Sequence, residues 1–231
     1  MTLYKATQAL AGRTALITSA DAYMGPAIAE RFASEQMELV LDNGDYLTDP
    51  DEPGRIVAAV DELDVLVVNL IPRDLRSQSA DAVTEKEWNR VFNALVHPTM
   101  RFVTAALPRM IERRCGKIIV VTSTAPLRPR HNRAAYSTAR GAQNAYVEAV
   151  GREVARYNVQ VNAIAQSYVY GGFPRDYLDD PDNREAVLRD VPARRLAEGA
   201  EQAALVRFLA SNESDFIVGQ TIAFSGGWVT R

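Results

Sequence analysis

The stretch Ser123–Arg140, STAPLRPRHNRAAYSTAR, decides how this chain is read. It follows Lys117-Ile118-Ile119-Val120-Val121-Thr122, an apolar run bounded by turn signals that reads as a fully buried strand. It leads into a long alanine-rich helical pattern. Ser123 therefore stands at the C-terminal lip of a strand, where open α/β sheets place their ligands. Tyr136 comes thirteen residues later and Arg140 four after that. Positions i and i+4 share a helix face, so the phenol and the guanidinium point the same way. A cation beside a phenol favours the phenolate, which would let Tyr136 act as a base with Ser123 as a hydroxyl partner for the same substrate oxygen.

Outward from this stretch the chain alternates strands and helices. Arg13–Thr18 reads as a strand, Gly25–Gln36 as an amphipathic helix with Ile28, Ala29 and Phe32 inward, and Glu38–Asp42 as a second strand. This opening βαβ unit is where a dinucleotide site would be built. Asp64–Val68 is the third strand. The segment between, Asn43–Leu63, has turn signals at Asn43-Gly44 and Asp49–Gly54 and helical character only over Arg55–Leu63, enough for one crossover. Thr84–Arg113 reads as a long helix kinked at Pro98 and Pro108, with Trp88, Val91, Phe92 and Leu95 as an apolar stripe. Arg109, Arg113, Arg114 and Lys117 read as a solvated basic helix end. The helix after Ser123 spans about Arg133–Tyr157. Asn158–Ala165 alternates as a strand, Arg175–Asp190 reads as a lid helix, Glu198–Ser211 as a helix and Gly219–Ser225 as the last strand.

With 231 residues, 47% of them hydrophobic, the chain can bury the core of one α/β domain spanning 1–231, and no repeat or linker divides it. A net charge of −3 gives no global field for nucleic acid. No apolar run of about 18 residues predicts a membrane span, and the start, MTLYKATQALAGR, lacks an apolar signal core. The lone Cys115 and two scattered histidines, His97 and His131, offer no disulfide and no metal cluster, in keeping with a reducing cytoplasm.

Ser, thirteen residues, Tyr-x-x-x-Lys is the catalytic pattern of the short-chain dehydrogenases/reductases, and the chain resembles that superfamily from about residue 10 to 230. Arg140 stands in place of the lysine, and this Ser-Tyr-Arg version resembles the halohydrin dehalogenases, cofactor-free relatives of those dehydrogenases. The resemblance implies a Rossmann-like, doubly wound parallel sheet, here one strand short of seven. Two glycine motifs of the dehydrogenases are altered. Their T-G-x-x-x-G-x-G is here Thr18-Ser19-Ala20-Asp21-Ala22-Tyr23-Met24-Gly25, and their N-N-A-G is Val68-Asn69-Leu70-Ile71. Glycines there let the backbone approach a pyrophosphate; Tyr23 and Ile71 would fill that space, and Asp21 adds charge beside it. Asp42 then reads as a turn or capping residue rather than a ribose ligand.

The resemblance, closest to the B-type halohydrin dehalogenases, therefore implies no cofactor and conversion of vicinal halohydrins to epoxides with release of halide and a proton, with reverse opening by halide, azide, cyanide or nitrite. It assigns Ser123, Tyr136 and Arg140 to catalysis. Asn93 is assigned a supporting role behind the tyrosine, a role about as well filled by a polar residue bonding to its own kinked helix. Tyr23, Pro72, Gln166, Ser167, Tyr168 and Val169 are assigned to a halide and substrate pocket, where successive backbone N–H groups in a turn can make an anion nest. A loop forming a substrate lid is the plainer reading of the same residues. A homodimer or homotetramer through the two long helices is implied, with halohydrin, epoxide and halide as the small partners. Two rival functions stand beside this one: an NAD(P)-dependent short-chain reductase with an atypical cofactor loop, and a catalytically silent ligand sensor on the same fold.

Overall fold

Leu16 and Ile17, Leu66 and Val67, Ile118 and Ile119, Ala163 and Ile164 are adjacent pairs, and in each pair the two side chains enter different cores. This is the period-two consequence of a strand buried on both faces. The structure, a computed structural model, describes residues 10–72, 78–170 and 180–230. Six parallel strands, β1 Thr14–Thr18, β2 Glu38–Asp42, β3 Val65–Asn69, β4 Gly116–Ser123, β5 Val159–Gln166 and β6 Thr221–Phe224, lie in the order β2-β1-β3-β4-β5-β6. The sheet is Rossmann-like and one strand short of seven, as expected. The order reverses between β1 and β3, so the switch point that hosts ligands in such sheets lies beside the Ser19–Gly25 loop and the ends of β3 and β4.

Helices α2 Glu52–Ala58, α3 Glu85–Arg113 and α4 Ala134–Val154 pack on one face; α1 Gly25–Ser34 and α6 Gly199–Ala210 pack on the other. A helix α5, Pro181–Asp190, precedes α6; the first part of the expected lid, residues 175–179, lies outside the described residues. The single crossover between β2 and β3 is α2, which begins at Glu52, earlier than the pattern predicted, because Pro53 fits the first turn where no N–H is needed. Thr84 caps α3, its hydroxyl accepting from Glu87 N–H at 3.2 Å. The helix continues as one element to Arg113 with Pro98 and Pro108 inside it.

The basic cluster at the end of α3 is only partly solvated: Arg109 and Arg114 are exposed, Arg113 is half-buried and Lys117 is buried. Arg109 donates to the Val60 carbonyl (2.8 Å), and Arg113 to the Leu63 carbonyl (2.8 Å) and Asp64 (3.1 Å), which fastens α3 to the α2–β3 connection. Lys117 is buried on β4 and its ammonium meets Asp215 at 2.5 Å; desolvation holds its pKa below the ordinary lysine range, with the Asp215 hydrogen bond opposing that shift. Arg109 and Arg113 thus give donors to loop carbonyls, which loops need when they are tucked against a helix. Among the described residues no helix is long and apolar enough to cross a membrane, and no cluster of metal-ligating side chains occurs.

The start of α6 carries a pH-dependent contact. Glu201 accepts two bonds from Arg195 (2.6 and 2.7 Å) and one from Glu198 N–H (2.9 Å). The Arg195 bond is the main cause, followed by the Glu198 N–H, of a pKa lowered from 4.5 to about 2. A depressed carboxylate stabilises the fold fully above its unfolded pKa, and the contribution fades as pH falls from 4.5 through about 2. Glu201→Gln should flatten the stability curve in that window and leave it unchanged in slope near neutrality. Thermal unfolding of both proteins from pH 7 to pH 2 checks this, and the difference should shrink with added salt because the pair is exposed.

Candidate functional site

Arg140 is the largest fully buried side chain among the described residues, 0% exposed, and its hydrogen bonds there go to neutral oxygens. Its Nε donates to the Tyr136 phenol oxygen (3.1 Å), one turn earlier on α4. Nη1 donates to the Val121 carbonyl on β4 (3.0 Å) and to Gln143 Oε1 (3.0 Å); Nη2 donates to the Leu70 carbonyl just past β3 (2.9 Å). No carboxylate forms an ion pair with it among the described residues. The guanidinium also lies 5.3 Å from the Tyr136 ring centroid. The i, i+4 pairing read from the sequence is therefore present as a direct hydrogen bond. Its geometry fixes the phenol: an oxygen accepting from a cation that has no acceptor of its own must direct its O–H elsewhere.

Ser123 ends β4, and its Oγ accepts from Ala125 N–H at 3.1 Å, which leaves its hydroxyl proton free to donate. Tyr23 stands near the same centre: its phenol donates to the Thr122 carbonyl (3.5 Å), one residue before Ser123. Burial, reinforced by the nearby Tyr136 and opposed by Arg140, raises its pKa well above the ordinary tyrosine value. Tyr23 is thus a neutral donor at neutral pH.

The Ser19–Gly25 loop is shaped by Asn69, which is fully buried. Its Nδ2 donates to the carbonyls of Ser19 and Ala22 (both 3.0 Å), and its Oδ1 accepts from Met24 N–H (3.4 Å). Ser19 and Tyr23, which replace glycines, adopt left-handed backbone (φ 46° and 57°), a conformation costly for side-chain-bearing residues. Gly25 cannot be replaced cheaply: a Cβ would stand 2.5 Å from the Ser19 and Ala20 carbonyl oxygens.

The residues expected in an anion pocket are dispersed. Tyr23 reaches the site. Pro72 is buried beyond β3, and Gln166 lies in register with Ser123, 2% exposed, with an Oε1 that has no hydrogen-bond partner. Of the backbone donors expected in a nest, Ser167 N–H is taken by the Phe224 carbonyl (3.0 Å), and the neighbouring Tyr170 N–H by the Ala197 carbonyl (2.9 Å). The Tyr168 ring packs with Trp228, Val187, Val191 and Leu196, under the Arg130 guanidinium at 5.0 Å; Val169 is in the α1/α6 core. Asn93 is exposed on α3 and does not back the tyrosine. The polar groups of that helix that bond to Gln143 are the Leu95 carbonyl and Thr99. The sequence signal for them was present but weak: Gln143 lies one turn past Arg140, an amide on an otherwise small-residue face.

With this geometry in place, the relatives can be set beside it. The family model described as enoyl-(acyl carrier protein) reductase matches residues 53–229. The chain is 30% identical to the 3-oxoacyl-[acyl-carrier-protein] reductase of Salmonella typhimurium over 94% of this chain and 97% of that one. The chain belongs to the short-chain dehydrogenase/reductase superfamily. Among solved structures, a 3-oxoacyl (acyl-carrier-protein) reductase from Agrobacterium tumefaciens C58 with NADP bound has a TM-score of 0.86 at 22% identity, covering 97% of this chain and 99% of that one. One described as a dehalogenation enzyme has a TM-score of 0.87 at 24% identity, covering 96% and 100%. At those identities both speak for the fold alone. The cofactor-free dehalogenation expected from the Ser-Tyr-Arg pattern is corrected here: the family model and the relatives similar over nearly the whole chain are reductases and dehydrogenases. The expectation failed because it weighed one helix turn and two loops, which vary on a constant scaffold, above the rest of the chain.

Arg140→Lys tests the geometry. A lysine keeps the charge but lacks the planar fork that reaches four acceptors. Buried carbonyls left unpaired cost about 1–3 kcal/mol each, so the variant should lose about 2–4 kcal/mol in urea unfolding at pH 7. A variant as stable as the parent would mean that the guanidinium is not what holds the Leu70 and Val121 carbonyls.

Proposed function

We propose that this chain is a short-chain reductase or dehydrogenase that acts on a small carbonyl compound or its alcohol, with a nicotinamide dinucleotide held in an altered groove. The observation that carries this is the Tyr136–Arg140 hydrogen bond beside the strand-end Ser123, at the switch point of a superfamily sheet.

The frame for the dinucleotide is present. The βαβ opening is intact, α1 starts at the lip of β1, and Asp42 ends β2. At that helix start Met24 N–H is spent on Asn69 and Gly25 N–H on the Ala22 carbonyl, and Pro26 has none to give. The lining differs from the glycine pattern at Ser19, Tyr23 and Ile71, and Asp42 already accepts from Tyr46 and from Gly44 N–H. A dinucleotide would be held by the Ser19–Gly25 loop and the lip of β3, with Arg140 able to add at most one Nη2–H, since its other four N–H groups are committed within the protein. When bound, that group would supply or take up a hydride.

The chain's own residues handle the oxygen. Ser123 Oγ–H and Tyr136 O–H would both donate to the carbonyl oxygen of the substrate, and Tyr136 would deliver its proton as charge builds there. The Arg140 Nε–H bond to the phenol oxygen stabilises the negative charge Tyr136 is left with. In the oxidative direction the same residues run in reverse. Gln166, with a buried amide oxygen lacking a partner, is suited to accept from a second donor on the substrate. A cytoplasmic enzyme fits the lone Cys115, and pairing through α3 and α4 fits the superfamily resemblance.

The test is direct. NADH or NADPH should quench protein fluorescence or raise the melting temperature at micromolar levels, and a set of small ketones and keto acids should be reduced. Tyr136→Phe should lower the rate by about 10²-fold or more without loss of stability. A folded protein that binds neither nucleotide up to millimolar levels would remove the oxidoreductase reading.

A further inference from the structure

Behind the phenol lies a closed chain of hydrogen bonds that connects it to the middle of α3. Gln143 Oε1 accepts from Arg140 Nη1 (3.0 Å). Gln143 Nε2 donates to Thr99 Oγ1 (2.7 Å) and to the Leu95 carbonyl (3.1 Å), and Thr99 Oγ1 donates to the same carbonyl (2.6 Å). Arg140, Gln143, Leu95 and Thr99 are each at most 1% exposed, so no water competes for these groups.

The chemistry of the donors fixes which way the amide points. The Leu95 carbonyl can only accept. The Thr99 hydroxyl has given its proton to that carbonyl, so toward Gln143 it too can only accept. The amide nitrogen must therefore face α3, and the amide oxygen must face the guanidinium. A reversed amide would set N–H against N–H at Arg140 and oxygen against two acceptors. Gln143 thus presents one acceptor, in one position, to a fork whose remaining acceptors are the Tyr136 phenol and two backbone carbonyls.

We propose that Gln143, locked by Thr99 and Leu95, is a positioning residue that holds the Arg140 guanidinium with its Nε–H on the Tyr136 oxygen. The idea rests on the acid–base role given above to Tyr136. Without the Gln143 acceptor, Nη1 keeps one carbonyl, and the planar fork as a whole can pivot about the Cγ–Cδ and Cδ–Nε bonds toward Val121 and Leu70. A displacement of the order of 1 Å in a site of this kind costs up to about 100-fold in rate. Gln143 would act through Arg140 and touch neither substrate nor nucleotide, so the loss falls on turnover rather than on substrate binding.

The experiment has two readouts. The first needs no activity. In a ¹H–¹⁵N spectrum of the whole protein, the Arg140 Nε–H, identified as the side-chain signal lost in Arg140→Lys, should be protected from solvent exchange. Gln143→Met, which keeps the volume and removes the acceptor, should shift that signal and speed its exchange at least tenfold. Thr99→Val, which leaves Gln143 in place but unlocks it, should do so to a smaller degree and serves if the first variant fails to fold. The second readout is kinetic: on a ketone the parent reduces, Gln143→Met should lower kcat about tenfold or more with KM within twofold, while Gln143→Glu, which restores an acceptor at that place, should keep the Nε–H protected. An unmoved Nε–H in both Gln143→Met and Thr99→Val, or a loss confined to KM, overturns the proposal. If the parent reduces no carbonyl compound, the functional reading fails, and the Nε–H signal still decides the positioning claim on its own.

Discussion

The positive charge of Arg140 is buried with no negative partner among the described residues. Moving an ion of that size out of water costs several kcal/mol even after a protein has relaxed around it. Arg140 is tolerated because four oxygens from three different elements surround its fork, two of them backbone carbonyls at the lips of β3 and β4. That requirement reaches far. The Leu70 and Val121 carbonyls must be turned inward, α4 must lie close enough across the sheet end for its side chains to meet them, and α3 must supply a polar anchor for Gln143. Tyr136 is placed as a consequence, since its oxygen is the fourth acceptor.

The loop at the opening βαβ unit obeys a different constraint. Its backbone follows the path that glycines make easy, yet it carries side chains at Ser19 and Tyr23 in left-handed conformation. Asn69 compensates by binding the loop at three points from β3. Asn69 therefore serves the loop whatever side chains line it, which is why the surviving asparagine and the lost glycines in the sequence are compatible. The scaffold has been kept while its surface toward the ligand has changed.

Much of this was legible in the residues. Strands buried on both faces read as apolar runs, and the length of the Asn43–Leu63 segment limited the sheet to six strands. The i, i+4 spacing of Tyr136 and Arg140 became a hydrogen bond. What failed did so for identifiable reasons. Asn93 was assigned by its place in a motif, but a helix rotates about 100° per residue, and two positions separate it from Leu95, which faces α4. The turn at 166–170 was expected to keep its N–H groups free, yet a sheet edge and the chain near Ala197 compete for them, and partners distant in sequence leave no local signal. The basic residues ending α3 looked solvated because charge alone does not reveal loop carbonyls brought within reach.

The replacement of lysine by arginine at residue 140 reads from sequence as a matter of chemical tuning. The structure gives it an architectural reason as well. A lysine ammonium is one point with three donors; it cannot reach carbonyls on two strands, an amide on its own helix and a phenol one turn back from a single position. A planar fork can, because its donors leave in separate, fixed directions. Once the fork is used this way, four of its five N–H groups are committed within the protein. The tie that orients the phenol is therefore also the tie that joins α4 to β4 and to the chain just past β3.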